Sequence, residues 1–211
     1  MKIAILGATG PTGQALLKRA LDAGHNVVAL VRNPDGISTK HDNLQVEKTD
    51  ISKEDTMVPA LENCDVVMSC LGARGTFMKE VQLYSSSTRV IVSAMRKTNV
   101  KRFLCLTSWG LKHGEPRFVS WLLRSLFLKT IYADMARMED YLESECQDIN
   151  YTVVRPPSLS NGNSTEKQIQ AREGQYVSNG GWSIPRTDVA RFMLSCLDTD
   201  KWERKKVAIS V

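Results

Sequence analysis

An α/β fold, a doubly wound and mostly parallel sheet with helices on both faces, is predicted by three features of this 211-residue chain. Short apolar runs suited to buried strands alternate with segments of helical periodicity. The run at 27–31 is apolar throughout rather than at every second residue, as in strands covered on both faces. The first run, Lys2–Leu6, passes into a helix through a turn holding three glycines, Gly7, Gly10 and Gly13.

That turn, Gly7-Ala8-Thr9-Gly10-Pro11-Thr12-Gly13, reads as a pyrophosphate cradle. Glycine permits a tight turn and removes the Cβ that would hold a phosphate off the backbone, while a helix opening at Gln14 offers N–H groups and a positive dipole end. Gly7, Thr9, Gly10, Pro11, Thr12 and Gly13 are its candidate contacts. The spacing is Gly-x-x-Gly-x-x-Gly, not Gly-x-Gly-x-x-Gly, so the flanking strand and helix carry the reading; a structural turn without a ligand is the alternative. In the helix, Ala15, Leu16, Ala20 and Leu21 share a face opposite Lys18, Arg19 and Asp22, and Gly24 ends it. The second strand, Asn26–Val31, ends at Arg32, about twenty residues past the last glycine, where a ribose-reading residue is expected. Arginine there suits a 2′-phosphate, which favours NADP(H) over NAD(H); a solvated strand end is the alternative.

A third strand, Leu44–Lys48, leads to Thr49 and Asp50, and a helix over 53–61 has its end blurred by Pro59. The buried fourth strand at 65–70 runs into Leu71, Gly72, Ala73 and Arg74. Ligands of such sheets lie outside the carboxyl ends of the strands, so the loops after strands one and four should face each other across a crevice. Gly72 and Ala73 would let the chain lie against a ribose, and Arg74 either points at phosphate or substrate or is a surface residue. The fifth strand, 102–107, brings Thr107, Ser108 and Trp109 to the same edge; Ser108 is the hydroxyl placed to meet a nicotinamide or its acceptor, or else caps a turn. The strand at 151–154 ends in Arg155-Pro156-Pro157-Ser158, where two prolines that cannot donate ladder hydrogen bonds send the chain across the top of the site and Ser158 towards the nicotinamide end. The apolar segment 116–128, with Trp121, is an aromatic lid over a planar substrate, a core helix continuing towards Glu145, or a dimer or membrane-surface patch.

Hydrophobic residues make up 42% and charged residues 24%, and no linker, repeat or low-complexity tract divides the chain, so a single domain over 1–211 is expected, with substrate-side elements from about 109–145 and 156–186. The net charge of +5 is dispersed; its densest stretch, 201–206, mixes signs and reads as a solvated turn, and nucleic acid is not an expected partner. Five cysteines without a Cys-x-x-Cys pair, three of them (Cys70, Cys105 and Cys196) in apolar runs, point to small hydrophobes in a reduced, cytosolic setting, and no metal site is expected. A core strand at the very start leaves no signal peptide expected, and no apolar run reaches membrane length.

The glycine turn, Leu30-Val31-Arg32, Thr49-Asp50, Leu71-Gly72-Ala73-Arg74, Thr107-Ser108, Arg155-Pro156-Pro157 and Asp188-Val189-Ala190-Arg191-Phe192-Met193 follow in an order that resembles the atypical short-chain dehydrogenase/reductases of the biliverdin reductase B, or NADPH flavin reductase, and NmrA-like type. The resemblance implies a Rossmann-type monomeric reductase using NADPH, with Asp50 at the adenine side, Arg32 at the 2′-phosphate and Ser108 beside the nicotinamide. Its acceptor would be small and planar: FMN, riboflavin or a tetrapyrrole. Two departures stand out. Tyr132-Ala133-Asp134-Met135-Ala136 puts alanine where the Tyr-x-x-x-Lys helix of alcohol-oxidising relatives has lysine, and Arg137 lies about 100° further round the helix. Ser158 and Met135 stand where biliverdin reductase B carries histidines, so biliverdin reduction is less expected than transfer to a flavin. The competing expectation is an NmrA-like regulator that senses NADP(H) without turnover; the short stretch after Asp188-Val189-Ala190 leaves little room for the partner-binding extension it would need.

Overall fold

A computed structural model describes residues 1–73, 81–111 and 129–211. The main sheet has eight strands: β1 (Lys2–Leu6), β2 (Asn26–Val31), β3 (Leu44–Lys48), β4 (Val66–Ser69), β5 (Arg102–Leu106), β6 (Asn150–Arg155), β8 (Gln170–Glu173) and β10 (Lys205–Ser210). Their order is β3-β2-β1-β4-β5-β6-β10-β8, parallel throughout except that β8 runs antiparallel to β10. A second, two-stranded sheet pairs β7 (Ser158–Ser160) with β9 (Ser183–Pro185). Among the described residues the α-helices are α1 (Pro11–Asp22), α2 (Glu54–Leu61), α3 (Leu83–Lys97), α4 (Lys129–Glu145) and α5 (Arg186–Ser195).

The period of two along a strand divides the core into two layers. Ile3 and Ile5 of β1 join Leu16, Leu17 and Ala20 of α1 and Val189, Phe192 and Met193 of α5, while Ala4 and Leu6 join Met57 of α2, Ile91 and Met95 of α3, and Met138 and Leu142 of α4. Both faces of each central strand are therefore buried, which is why 27–31 could carry no alternation.

Two boundaries differ from the sequence reading. The first helix begins at Pro11 rather than Gln14, because Gly10 takes the extended N-cap conformation and proline at the first helical position is already set to a helical φ. Helix α2 ends at Leu61, the end expected, with Pro59 inside its last turn. Lys205 and Lys206, taken with 201–204 as a solvated turn, are the first residues of β10; their charges are met by Glu173 at 3.0 Å and Glu143 at 2.6 Å, so they can lie at a strand end. The segment 116–128, for which a lid, a core helix and an interface patch were the readings, lies outside the described residues; α4 begins at Lys129.

Candidate functional site

Because β1 to β6 are parallel, the residues that follow them share one edge of the sheet, and the strand order reverses between β1 and β4. Gly7 follows β1 with φ +74°, and a Cβ on it would sit 2.6 Å from the Cys70 carbonyl oxygen. The loops after β1 and β4 thus lie against each other as expected. Gly10 N donates to Gly7 O at 3.0 Å, and a Cβ on Gly13 would come 2.1 Å from that same oxygen, so only glycine lets α1 start this close to the strand. Thr12 and Gly13 are buried beneath the turn, with Thr9 and Pro11 exposed. Helix α1 has neither a side-chain N-cap nor an acidic residue in its first turn, which leaves that helix end suited to an anion.

At the outer side of this half, Thr49 N donates to Val31 O at 2.8 Å and aligns the exits of β2 and β3. Arg32 is exposed there, in no hydrogen bond or ion pair with a described residue. Asp50 Oδ1 accepts from the Ser52 hydroxyl at 2.7 Å and from Ser52 N at 3.0 Å. These bonds hold the Asp50 carboxyl below its ordinary range, with the charges of Lys53 and Arg32 adding to them. After β4, Leu71 packs on the core, a Cβ on Gly72 would meet nothing within 4 Å, and Ala73 N donates to Tyr84 Oη at 3.1 Å. Arg74 lies outside the described residues.

The half built on β5 and β6 is held by side chains. Thr107 Oγ1 donates to Glu139 Oε1 at 2.9 Å, so this hydroxyl, read as a cofactor contact, points its hydrogen into the floor of the site. Arg155 donates to both Glu139 oxygens, through Nε at 3.0 Å and through Nη2, and its Nη1 reaches Gly174 O at 2.8 Å. Both charged partners are buried. Above this network Ser108 Oγ lies 3.3 Å from Tyr132 Oη of α4. Pro156 and Pro157 are buried where the chain leaves the main sheet, and the exposed Ser158 opens β7. Trp109 follows Ser108 directly; Trp121 lies outside the described residues.

Tyr132, Glu139 and Trp182 were not singled out from sequence. Tyr132 was weighed only for the lysine it lacks, yet α4 carries it to Ser108. Arg137 does not replace that lysine: it donates to Val81 O at 3.0 Å and pairs with Asp134. Asp134 is buried and accepts from Tyr84 N at 2.7 Å and from the Ser85 hydroxyl, which docks α4 on the first turn of α3. All five cysteines are buried and free, and burial pushes the Cys70 thiol up to about 12, as befits core residues.

A dinucleotide fits this edge on two observations. Among the described residues nothing lies within 4 Å of where a Cβ on Gly72 would be. Of the buried side-chain polar atoms without a hydrogen-bond partner among the described residues, Thr49 Oγ1 and Trp109 Nε1 both belong to it, and Glu54 Oε1 alone does not. Among the described residues no group of His, Cys, Asp and Glu is arranged to hold a metal ion, and no helix is long and apolar enough to cross a membrane.

Among curated proteins, the chain is 24% identical over 212 residues to the photosystem II assembly factor Ycf39 of Synechocystis, covering 97% of this chain and 61% of that protein. It is 24% identical to the divinyl chlorophyllide a 8-vinyl-reductase of Arabidopsis thaliana, covering 93% of this chain and 50% of that one, so it spans about half to three-fifths of these relatives. Solved structures share its fold, among them the following three. An oxidoreductase from Lactococcus lactis superposes with a TM-score of 0.84 at 23% identity, over 100% of this chain and 90% of that one. A candidate NADH-flavin reductase from Streptococcus pneumoniae gives 0.79 at 21% identity, over 100% and 99%. A short-chain dehydrogenase/reductase from Veillonella parvula in complex with NADP gives 0.78 at 19% identity, over 100% and 94%. These likenesses establish a Rossmann-like fold. Residues 7–200, from the glycine turn to the last turn before β10, match one family throughout, and the chain belongs to it: the NAD(P)H-binding family.

Proposed function

We propose that this chain is a cytoplasmic, monomeric NADPH-dependent reductase that delivers hydride to a flavin or similar planar acceptor. The observation that carries the reading is Ser108, 3.3 Å from Tyr132 Oη, on the same sheet edge as the glycine turn. When bound, the reduced nicotinamide supplies the hydride. The turn and the first turn of α1 hold the pyrophosphate, Arg32 pairs with the 2′-phosphate, Asp50 borders the adenine, and Leu71, Gly72 and Ala73 line the ribose. Ser108 offers one hydrogen bond at the reacting end, oriented by Tyr132. Ala136 stands in the lysine position and Arg137 is held by Val81 O and Asp134, so α4 does not carry the Tyr-x-x-x-Lys pair used for proton transfer to a carbonyl. Solvent therefore supplies the proton, which suits electron-poor acceptors that need no alkoxide stabilised. The protein's contribution is to hold donor and acceptor in register.

The candidate flavin reductase and the NADP complex among the structural neighbours support this choice of acceptor and cofactor, as does the chlorophyllide, a tetrapyrrole, in the name of one relative. The buried free cysteines support a reducing compartment. A second reading, an NADP(H) sensor without turnover, is favoured by Ala136 and by the name of the assembly factor. Purified protein given NADPH and a panel of flavins, quinones and biliverdin separates the two: loss of nicotinamide absorbance with a flavin is expected, and cofactor binding without turnover across the panel would leave the sensor.

A further inference from the structure

Trp109 and Trp182 are both tied to the segment by which the chain leaves β6. Trp109 N donates to Pro156 O at 3.0 Å, and Ser158 N donates to Trp182 O at 3.1 Å. Their rings meet edge to face, with centroids 6.2 Å apart and planes at 67°. Yet the two indoles are in opposite circumstances. The Trp109 N–H is buried without a hydrogen-bond partner among the described residues, an unfavourable state for a strong donor. Trp182 is 66% exposed and, with Met1, is one of two large apolar residues left open among the described residues. One kind of occupant satisfies both: a flat heteroaromatic ring that lies on the face of Trp182 and turns a carbonyl oxygen or ring nitrogen towards the Trp109 N–H. Trp182 meets Trp109 edge to face and is otherwise largely exposed, which leaves surface for a second flat ring. The exposed Ser158 lies next to both backbone attachments and adds a second polar contact.

We infer that Trp109 and Trp182 form the acceptor-binding bracket of this site, with Trp182 supplying the stacking face and Trp109 Nε1 the directional hydrogen bond. The bracket selects planar heteroaromatics bearing an edge acceptor, such as an isoalloxazine, over aliphatic carbonyl compounds. This inference rests on the reductase reading, because it assigns the acceptor side of that same site.

The test is riboflavin binding to the intact chain, followed by quenching of the flavin's own fluorescence without added NADPH, and, separately, steady-state turnover. Trp182→Ala is expected to weaken riboflavin binding at least about tenfold, the scale of a lost aromatic stack, and Trp182→Phe to recover most of it. Trp109→Phe, which keeps a ring and removes the N–H, is expected to weaken it several-fold, with KM for NADPH unchanged in all three variants. Since Trp182 is exposed, thermal melting should match wild type and confirm the fold. Riboflavin affinity within twofold of wild type in both Trp182→Ala and Trp109→Phe overturns the bracket, even where wild type reduces flavins and the reductase reading stands. Riboflavin binding that depends on both tryptophans while no acceptor is reduced supports the bracket and removes the reductase reading instead.

Discussion

At the β1–β4 end of the carboxyl edge, backbone packs on backbone: Gly7 lies against Cys70 and Leu71, Gly13 against Gly7, and the geometry is set by the absence of side chains. At the β5–β6 end the same edge is set by side chains that cross between elements, Glu139 of α4 to Arg155 and Thr107, and Tyr132 of α4 to Ser108. The first half is rigid because a Cβ would collide; the second is rigid because buried charges and hydroxyls must be satisfied. The family is defined by NAD(P)H binding, and a cradle of backbone suffices for that. The side chains of the second half are where the proposed acceptor would be met.

The comparison breaks first at the buried ion pair. Arg155→Met should destabilise the fold by about 3–5 kcal/mol in urea unfolding, since it leaves Glu139 buried and uncompensated, and pairing it with Glu139→Leu should recover most of that loss. If the single and double variants are equally unstable, the pair is not what holds this half together. Gly13→Ala comes next, with a cost of about 2–3 kcal/mol from the collision with Gly7 O and a loss of cofactor binding in titration. Arg32→Ala should weaken NADPH about 10–100-fold, as expected for a charged hydrogen bond, and leave NADH nearly unchanged. Equal losses for both cofactors would remove the 2′-phosphate assignment. Ser108→Ala should lower turnover about tenfold at unchanged cofactor affinity, with Tyr132→Phe having a smaller effect, because each removes one hydrogen bond.

The smallest effect belongs to neither half. Hydrogen bonds from Arg96 at 2.8 and 2.9 Å hold the Asp148 carboxyl at about 2, below its usual 3.8, with burial opposing. A lowered carboxylate stabilises the fold above its ordinary pKa, and that stability is lost as pH falls from there towards the folded value. Because both groups are about two-fifths exposed, the loss should be under about 1 kcal/mol, and Asp148→Asn should flatten the acid limb of the stability profile by that amount.

The unequal construction of the two halves also decides what could be read in advance. Strands buried on both faces announce themselves by unbroken apolar runs, and β1, β2, β4 and β5 lie where those runs lie, whereas β3 at the sheet edge, Leu-Gln-Val-Glu-Lys, carries none. Glycines in a turn and paired prolines act locally, so the turn after β1 and the departure from the sheet at Pro156 follow from a few adjacent residues. The acceptor half is written in pairs distant in sequence. Glu139 looks like any acid in an amphipathic helix until Arg155 is placed against it, and Tyr132 has meaning only once α4 is docked by Asp134. Trp182 follows two glycines in a stretch without periodicity, so only the pairing of β7 with β9 shows its place beside Trp109. The outer strands β8 and β10 were hidden by the lysines that open β10.

The most direct test of the central claim is the rate of cofactor oxidation at fixed riboflavin, compared for NADPH and NADH. The account predicts flavin-dependent oxidation with kcat/KM at least about tenfold higher for NADPH, the difference lying in KM because Arg32 acts on binding alone. Flavin-independent rates, or equal kcat/KM for the two cofactors, would contradict it.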